Sequence, residues 1–569
     1  MFAGQAFLPL RAKGQTGVSD RHLLNNESRR RGSCLAFTAP SFYLLFMYSQ
    51  FQSVERELRS RISGEVWFDV GRRTEYSTAT CMYKVMPIGV IAPKTIDDVQ
   101  QSVRVCSEHE IAVIPRGGGS GLVGQAVGFG VVLDFTKHMN HVRRISTETA
   151  SVTAEAGCIL NDVNNLLLPI GQFYPVDPQS TKLCTVGGIV ATNAAGAHGL
   201  KYGSTKNQIK SLTTVLSNGD TAVINPNEEN NRLSAEGSVR FSRLKDILST
   251  HRQTIEKHKP SVEKYSSGYN IFEALQGGHF DATRLVCGSE GTLAIVTEAT
   301  LNILPVPKAA VAAAAYFDSY QTTAEAIHIA RRFSPAALEL LDKSYTDVGK
   351  GLSPTSDRFI DREFQSMLLI EFEGDDAAGM QNEAAALREA LQRANVLSDW
   401  ITLKTDDERR SLWMVRETVS DMINHLPTHE HKISTVEDGA VPLHNLPEYI
   451  NGLKRILDKH SILFTVYGHA GMGHIHCSTF GELTTESGRE RIDQATQEIF
   501  ELIIKLGGVL SAEHGDGFVR TPFLEQAFGP EVYGIFKEIK QTLDPQNILN
   551  PQKIIGRQDR VFLHDLKLT

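Results

Sequence analysis

The 569-residue chain has no cysteine pair at metal or redox spacing: Cys34, Cys81, Cys106, Cys158, Cys184, Cys287 and Cys477 each stand alone. An odd number of scattered thiols points to a reducing compartment and excludes a disulfide framework or a cysteine zinc site. No C-x-x-C-x-x-C run is present either, so an iron–sulfur cluster that takes electrons from this chain must lie on another polypeptide. Basic charge is short as well. With 58 Lys and Arg against 66 Asp and Glu, the net charge is −8, and without a cationic stripe to neutralise phosphates, nucleic acid is excluded as a partner. In the first fifty residues the only apolar run is SFYLLFMYSQF, Ser41 to Phe51, far below the roughly 20 residues of a membrane helix. Around it Arg11, Lys13, Arg21 and Arg29 to Arg31 give a basic, acid-poor leader without a small-residue cleavage site. A misassigned upstream start is preferred to a targeting peptide there. The expected location is cytoplasmic, with peripheral attachment to a membrane left open. Also missing are a G-x-G-x-x-G opening a helix with an acid about 20 residues on, and any G-x-x-x-x-G-K-[ST].

Glycine is what the chain has in abundance where it matters. PRGGGSGLVGQ, Pro115 to Gln125, follows the strand-like run IAVIP. Glycine lacks the Cβ that holds a ligand off and accepts positive φ, so Gly117 to Gly119 can form a nest of N–H groups for an anion. One such loop is as readily a tight turn. A second, Asp177 to Ser204, interleaves Gly187, Gly188, Gly196 and Gly199 with Asn193, His198 and Lys201, and two loops together favour phosphate binding.

A chain of this length exceeds the single-core limit of about 250–300 residues, so two or more domains are expected. From about Val85 to Pro307, short β-rich runs (VVLDF, SVTAEAG, LTTVLSNGD, LAIVTEATLNIL) alternate with helical stretches such as TIDDVQQSVRVCSEH, an α+β pattern. Leu304-Pro-Val-Pro307 suits an exit from a sheet, because proline cannot continue a ladder. From Lys308 to Leu463 the helix YQTTAEAIHIARRF, the strand SMLLIEFEG and the helix NEAAALREALQRANV follow in turn. Two further motifs close the chain, YGHAGMGHIHCS (Tyr467 to Ser478) and SAEHGDG (Ser511 to Gly517). On a strand His474 and His476 share a face, whereas the adjacent Glu513 and His514 point to opposite faces of extended backbone. Two histidines and a carboxylate can fill three positions of a tetrahedral or octahedral metal and leave the rest for substrate. A lone histidine more often caps a turn; the pair of motifs favours a site.

Four segments resemble the FAD-binding domain of the vanillyl-alcohol-oxidase (PCMH-type) flavoproteins: PRGGGSGL, DPQS…GGIVATNAAGAHGLKYG, GSEGTLAIVTEATLNILP (Gly288 to Pro305) and LDPQNILNPQKI (Leu543 to Ile554). Within that superfamily the chain is similar to the D-2-hydroxy-acid dehydrogenases, which act on D-lactate or D-2-hydroxyglutarate or form the flavin subunit of glycolate oxidase, from about Arg61 to Gly556. The resemblance implies an α+β fold. After an atypical tail at 1–50, it implies a PCMH-type FAD-binding domain at 51–307, an antiparallel-sheet cap at 308–500 and a segment at 501–569 that returns to the FAD domain.

The resemblance implies FAD held non-covalently, since Gly119-Ser120-Gly121 stands where some relatives carry the attaching histidine. Contacts are expected from Arg116, Gly117, Gly118, Gly119, Ser120, Gly121, Pro178, Gly187, Gly188, Asn193, Gly196, Gly199, Tyr202, Glu290, Ile295 and Asn550. The family pattern GHxGDGNxH, with the glutamate of the second motif, implies a divalent metal at His469, His476 and Glu513. Imidazole with carboxylate suits zinc best, with manganese and iron open. The chain departs from that pattern at Met472 and His474, and His474 could join or displace a ligand. His514 is then the implied base, and Arg416 and Lys432 the cations for a substrate carboxylate.

The activity implied is oxidation of a D-2-hydroxy acid to the 2-oxo acid, with electrons passed to a separate quinone, cytochrome or iron–sulfur protein; a homodimer is compatible with this. Three alternatives carry their own discriminants. An FAD oxidase of sugars or lactones would need no His/Glu metal cluster, a flavin-dependent lipid-ether synthase would yield no 2-oxo acid, and a non-catalytic flavoprotein subunit would not bleach with any hydroxy acid.

Overall fold

The structure is a computed structural model that describes residues 39–351, 354–403, 405–424, 431–556 and 565–567. Most of the basic leader lies outside the described residues; a helix begins within it and runs from Ala39 to Arg61. No described helix is long and apolar enough to cross a membrane.

Two sheets build the nucleotide half. The first has four strands in the order Glu65–Trp67, Gly89–Ala92, Val131–Asp134, Val113–Arg116, the last three parallel. Helix Ile96–Glu108, capped by Thr95, crosses between Gly89–Ala92 and Val113–Arg116, as parallel pairing requires. The run VVLD is buried along its whole length, which is why it shows no alternation in sequence. The second sheet is antiparallel, in the order Val142–Ser146, Ser151–Glu155, Ile295–Asn302, Ile209–Val215, Thr221–Ile224. Leu304–Pro305 does not simply leave it. The two residues pair with Gln172–Phe173 in a short ladder of their own, where proline is tolerated because the ladder is only two residues long.

From Ala309 onward an eight-stranded antiparallel sheet forms. Its order is Asp399–Thr402, Ala309–Phe317, Ser366–Gly374, Ala337–Asp342, Leu463–Gly468, His474–Gly481, His431–Ile433, with Gly439–Ala440 also on His474–Gly481. Period-2 alternation divides each strand between two cores. Ala313, Leu338, Leu340, Val466, Ile475 and Cys477 pack under helices Tyr320–Ala330, Ala377–Arg393, Leu446–Lys459 and Glu486–Lys505. Ala314, Leu341, Leu369 and Tyr467 pack on the other side with Leu412, Val415 and Val419 of helix Asp406–Asn424. His474 and His476 alternate along the strand with Ile475 and Cys477 and so face away from the helical layer.

The end of the chain returns to the nucleotide half. Helix Leu524–Leu543 packs on Ala235–Thr250, and Asn550 Nδ2 donates to Gln125 O at 3.0 Å and Glu290 O at 2.7 Å. All six described cysteines are buried, and burial raises their thiol pKa values, to about 12 at Cys106 and Cys287.

Candidate active site

The first glycine loop leaves the carboxyl end of Val113–Arg116, where parallel strands present ligands. It closes directly on the second. A Cβ on Gly117 would stand 2.2 Å from Thr185 Oγ1, and one on Gly118 1.9 Å from Leu183 O, so any larger residue forces the loops apart. Between these loops and the cap sheet opens a cavity of about 1310 Å³, larger than the roughly 300–1,000 Å³ of common small-molecule pockets, as a dinucleotide with substrate requires.

Arg116, Gly117, Gly118, Gly119, Ser120, Gly121, Pro178, Gly187, Gly188, Gly196 and Glu290 line it, and at the cap end so do Arg416, Lys432, His469, His476, Glu513 and His514. Five of the expected contacts do not reach it. Asn193 spends its side chain on the loops behind, accepting from Lys206 N at 3.0 Å and donating to Tyr265 O and Ser266 Oγ. Gly199 packs against Met472, the Tyr202 hydroxyl donates to Glu373 Oε2 at 2.8 Å, and Ile295 is sealed in the antiparallel sheet opposite Val215. Asn550 acts from behind through the two carbonyls it holds. Glu290 borders the cavity, but its carboxylate accepts from the amides of Asp516 (2.5 Å) and Gly517 (3.0 Å); burial first, then the charge of Asp516, raises its pKa.

At the cap end three acceptors converge. His476 Nδ1 lies 3.0 Å from Glu437 O, a carbonyl that can only accept, so the ring proton sits on Nδ1 and Nε2 carries a lone pair. His469 Nδ1 lies 2.6 Å from Glu339 Oε1, which fixes the same tautomer. The two Nε2 atoms are 3.4 Å apart, and Glu513 Oε1 is 3.4 Å from the first and 3.2 Å from the second. Ligands about 2.1 Å from a tetrahedral ion would stand about 3.4 Å apart. Three inward-facing acceptors with no donor between them fit a cation.

Their supports are in place. Glu513 Oε2 accepts from Lys264 Nζ at 2.5 Å, and although burial opposes it, Lys264 and His469 hold that carboxyl well below its ordinary range. Glu339 also accepts from Arg416 Nε at 3.3 Å. Burial pushes the His476 pKa down, while at His469 the nearby Glu339 charge outweighs burial and raises it.

Glu513 and His514 were expected on opposite faces; they converge, with Glu513 Oε1 3.7 Å from His514 Nε2. The backbone there is not extended. Asp438 Oδ2 accepts from Ser511 Oγ, Glu513 N and His514 N at 2.5, 3.2 and 2.8 Å, which folds the segment into a turn. His514 Nδ1 is 3.2 Å from Glu437 Oε1; burial is outweighed by Asp438 and Glu437, and its pKa is raised to about 9. Burial lowers the Lys432 pKa, with Glu437 opposing.

The motifs gave no sign of Glu339, Lys264, Glu437 or Asp438. Nor did they show that His198 joins the second glycine loop to the cap, with Nδ1 2.6 Å from Asp177 and Nε2 3.0 Å from Glu371.

A family model described as an FAD binding domain matches residues 87–225, and one for the C-terminal domain of FAD linked oxidases matches 306–554. The glycolate oxidase subunit GlcD of Bacillus subtilis is 31% identical, over 89% of this chain and 97% of its own length. A D-2-hydroxyglutarate dehydrogenase of Pantoea ananatis is 27% identical over 86% of this chain, which spans only 50% of that protein. Among solved structures, p-cresol methylhydroxylase with bound substrate superposes with a TM-score of 0.67 at 13% identity, over 89% of this chain and 97% of that one.

Proposed function

The chain belongs to the FAD-linked oxidases, and from that premise we propose that it oxidises a D-2-hydroxy acid to the 2-oxo acid and hands the electrons to a separate acceptor. The observation that carries this reading is the convergence of His469, His476 and Glu513, beside Arg416, at the cap end of a cavity whose other end is the paired glycine loops. An oxidase of sugars or lactones has no use for that convergence.

FAD would lie along Gly117 to Gly121 and Gly187, Gly188 and Gly196, and a divalent ion between His469, His476 and Glu513. The flavin would accept the hydride from the substrate's second carbon, and the ion would lower the pKa of the substrate hydroxyl. Arg416, fixed at Nε by Glu339, binds the substrate carboxylate; Lys432 adds a second positive group on the same wall. His514 takes the hydroxyl proton on Nε2, the nitrogen turned towards Glu513, once it is in the neutral form that its raised pKa moves to alkaline pH, and the charges of Glu437 and Asp438 near Nδ1 stabilise the imidazolium that results.

Anaerobic mixing with a panel of D- and L-2-hydroxy acids tests the reading: flavin absorbance should bleach with a D acid and not with its L enantiomer. Failure to bleach with any member of the panel overturns it. His476→Ala should remove stoichiometric metal and turnover while FAD stays bound, since the glycine loops do not touch that side chain. His514→Ala should slow flavin reduction by about 10²–10⁴-fold, with reoxidation of chemically reduced flavin by an artificial acceptor unchanged.

A further inference from the structure

His474 is the one imidazole of the cap cluster that the three-ligand reading leaves idle. It is completely buried, and neither ring nitrogen has a hydrogen-bond partner. Two residues before His476 on the same strand, it faces the same side, and one of its nitrogens lies within 4.8 Å of the ligand atoms of His469, His476 and Glu513. Its ring sits 4.4 Å from that of His476 and 5.2 Å from that of His469.

Its surroundings repeat those of its neighbours. His469 has a carboxylate, Glu339, behind one nitrogen, and His476 has the Glu437 carbonyl. His474 Nε2 has the Asp438 Oδ1 charge at 2.8 Å, an ion-pair contact. That oxygen is itself buried without a hydrogen-bond partner, because the Ser511–His514 turn takes the other one, Oδ2. With Nε2 beside a carboxylate, Nδ1 is left with nothing to bind in a dry interior, where an unmet polar atom is costly. An acceptor behind one nitrogen and an unmet lone pair on the other is the arrangement of a metal-bound imidazole.

We propose that His474 is a fourth protein ligand to the ion held by His469, His476 and Glu513, and that the ion is one that accepts six donors, of the manganese, iron(II) or cobalt class. The inference rests on the metal reading above. Three imidazoles and one carboxylate would close a four-coordinate zinc ion against substrate. A 2-hydroxy acid that binds through its hydroxyl and one carboxylate oxygen adds two donors, and four plus two makes an octahedron. In that geometry, at about 2.1 Å to each ligand, cis donors stand about 3.0 Å apart and trans donors about 4.2 Å. The 3.2–3.4 Å separations among the first three ligands come within a few tenths of an ångström of the cis value, and one His474 nitrogen lies no more than 4.8 Å from each of them.

The test uses the full-length flavoprotein, stripped of metal and reloaded with Mn²⁺ for pulsed EPR or Co²⁺ for absorption. Three coordinated imidazoles and a weak six-coordinate cobalt spectrum are expected in the wild type, and two imidazoles in His474→Asn. Two imidazoles in the wild type, or an intense four-coordinate cobalt spectrum, overturn the inference and leave the metal reading standing. Failure of the wild type to bind either ion overturns both.

Discussion

Glu339 serves two partners with one carboxylate, orienting His469 through Oε1 and Arg416 through Oε2. In Glu339→Gln the guanidinium of Arg416, itself buried, loses its counter-charge, and breaking a buried pair in this way costs about 3–5 kcal/mol; thermal unfolding should report it. On the proposed metal reading, losing the outer partner of His469 should weaken metal binding by about 10–100-fold, read by metal titration. Although burial opposes it, His469 and Arg416 hold the Glu339 pKa at about 2, below an ordinary 4.5. A depressed carboxylate stabilises the fold above its unfolded pKa and loses that contribution as pH falls through the folded one. Wild type should therefore lose stability between pH 4.5 and 2 more steeply than Glu339→Gln, and parallel curves would contradict this assignment. Nothing in ALELLD marks the residue: a glutamate alternating with leucines reads as the wet face of an amphipathic strand, and only the cap's second layer makes that face dry.

Strand periodicity was legible where the backbone is regular. It places His474 and His476 together because Leu463–Gly468 and His474–Gly481 form an unbroken ladder. The same rule fails for Glu513 and His514, whose backbone is bent by Asp438, a residue 73 positions or more away in sequence. Glycine density marked the loops, yet the roles of Asn193, Gly199 and Asn550 depend on what lies behind them, which local sequence does not carry. For the loops themselves the close approach at Gly118 gives a direct test. Gly118→Ala should sharply lower FAD content in purified protein, because its methyl meets Leu183 O, while metal content stays at the wild-type level; full flavin occupancy would show that the loops can separate without cost.

Over the whole molecule, the site is assembled from segments that range from Thr80 to Lys567, with Asn550 holding two of its loops from behind. The resemblance implies a return of the chain end at 501–569, a division that local sequence does not carry, and the pairing of the Leu304–Pro305 segment was hidden because two-residue ladders leave no periodicity. A ligand bound only by the folded state stabilises it by mass action, by about 2.7 kcal/mol at a hundredfold excess over Kd. The melting temperature of the apoprotein should accordingly climb with added FAD, and a flat response would contradict binding across these loops. The buried thiols then acquire a use. Cys81 and Cys184 border the cavity, whereas Cys106, Cys158, Cys287 and Cys477 lie away from it. In a Cys34→Ser background a maleimide label should therefore stamp the first pair ahead of the other four once flavin departs, so that the order of labelling becomes a tally of vacant cofactor sites that needs neither substrate nor colour.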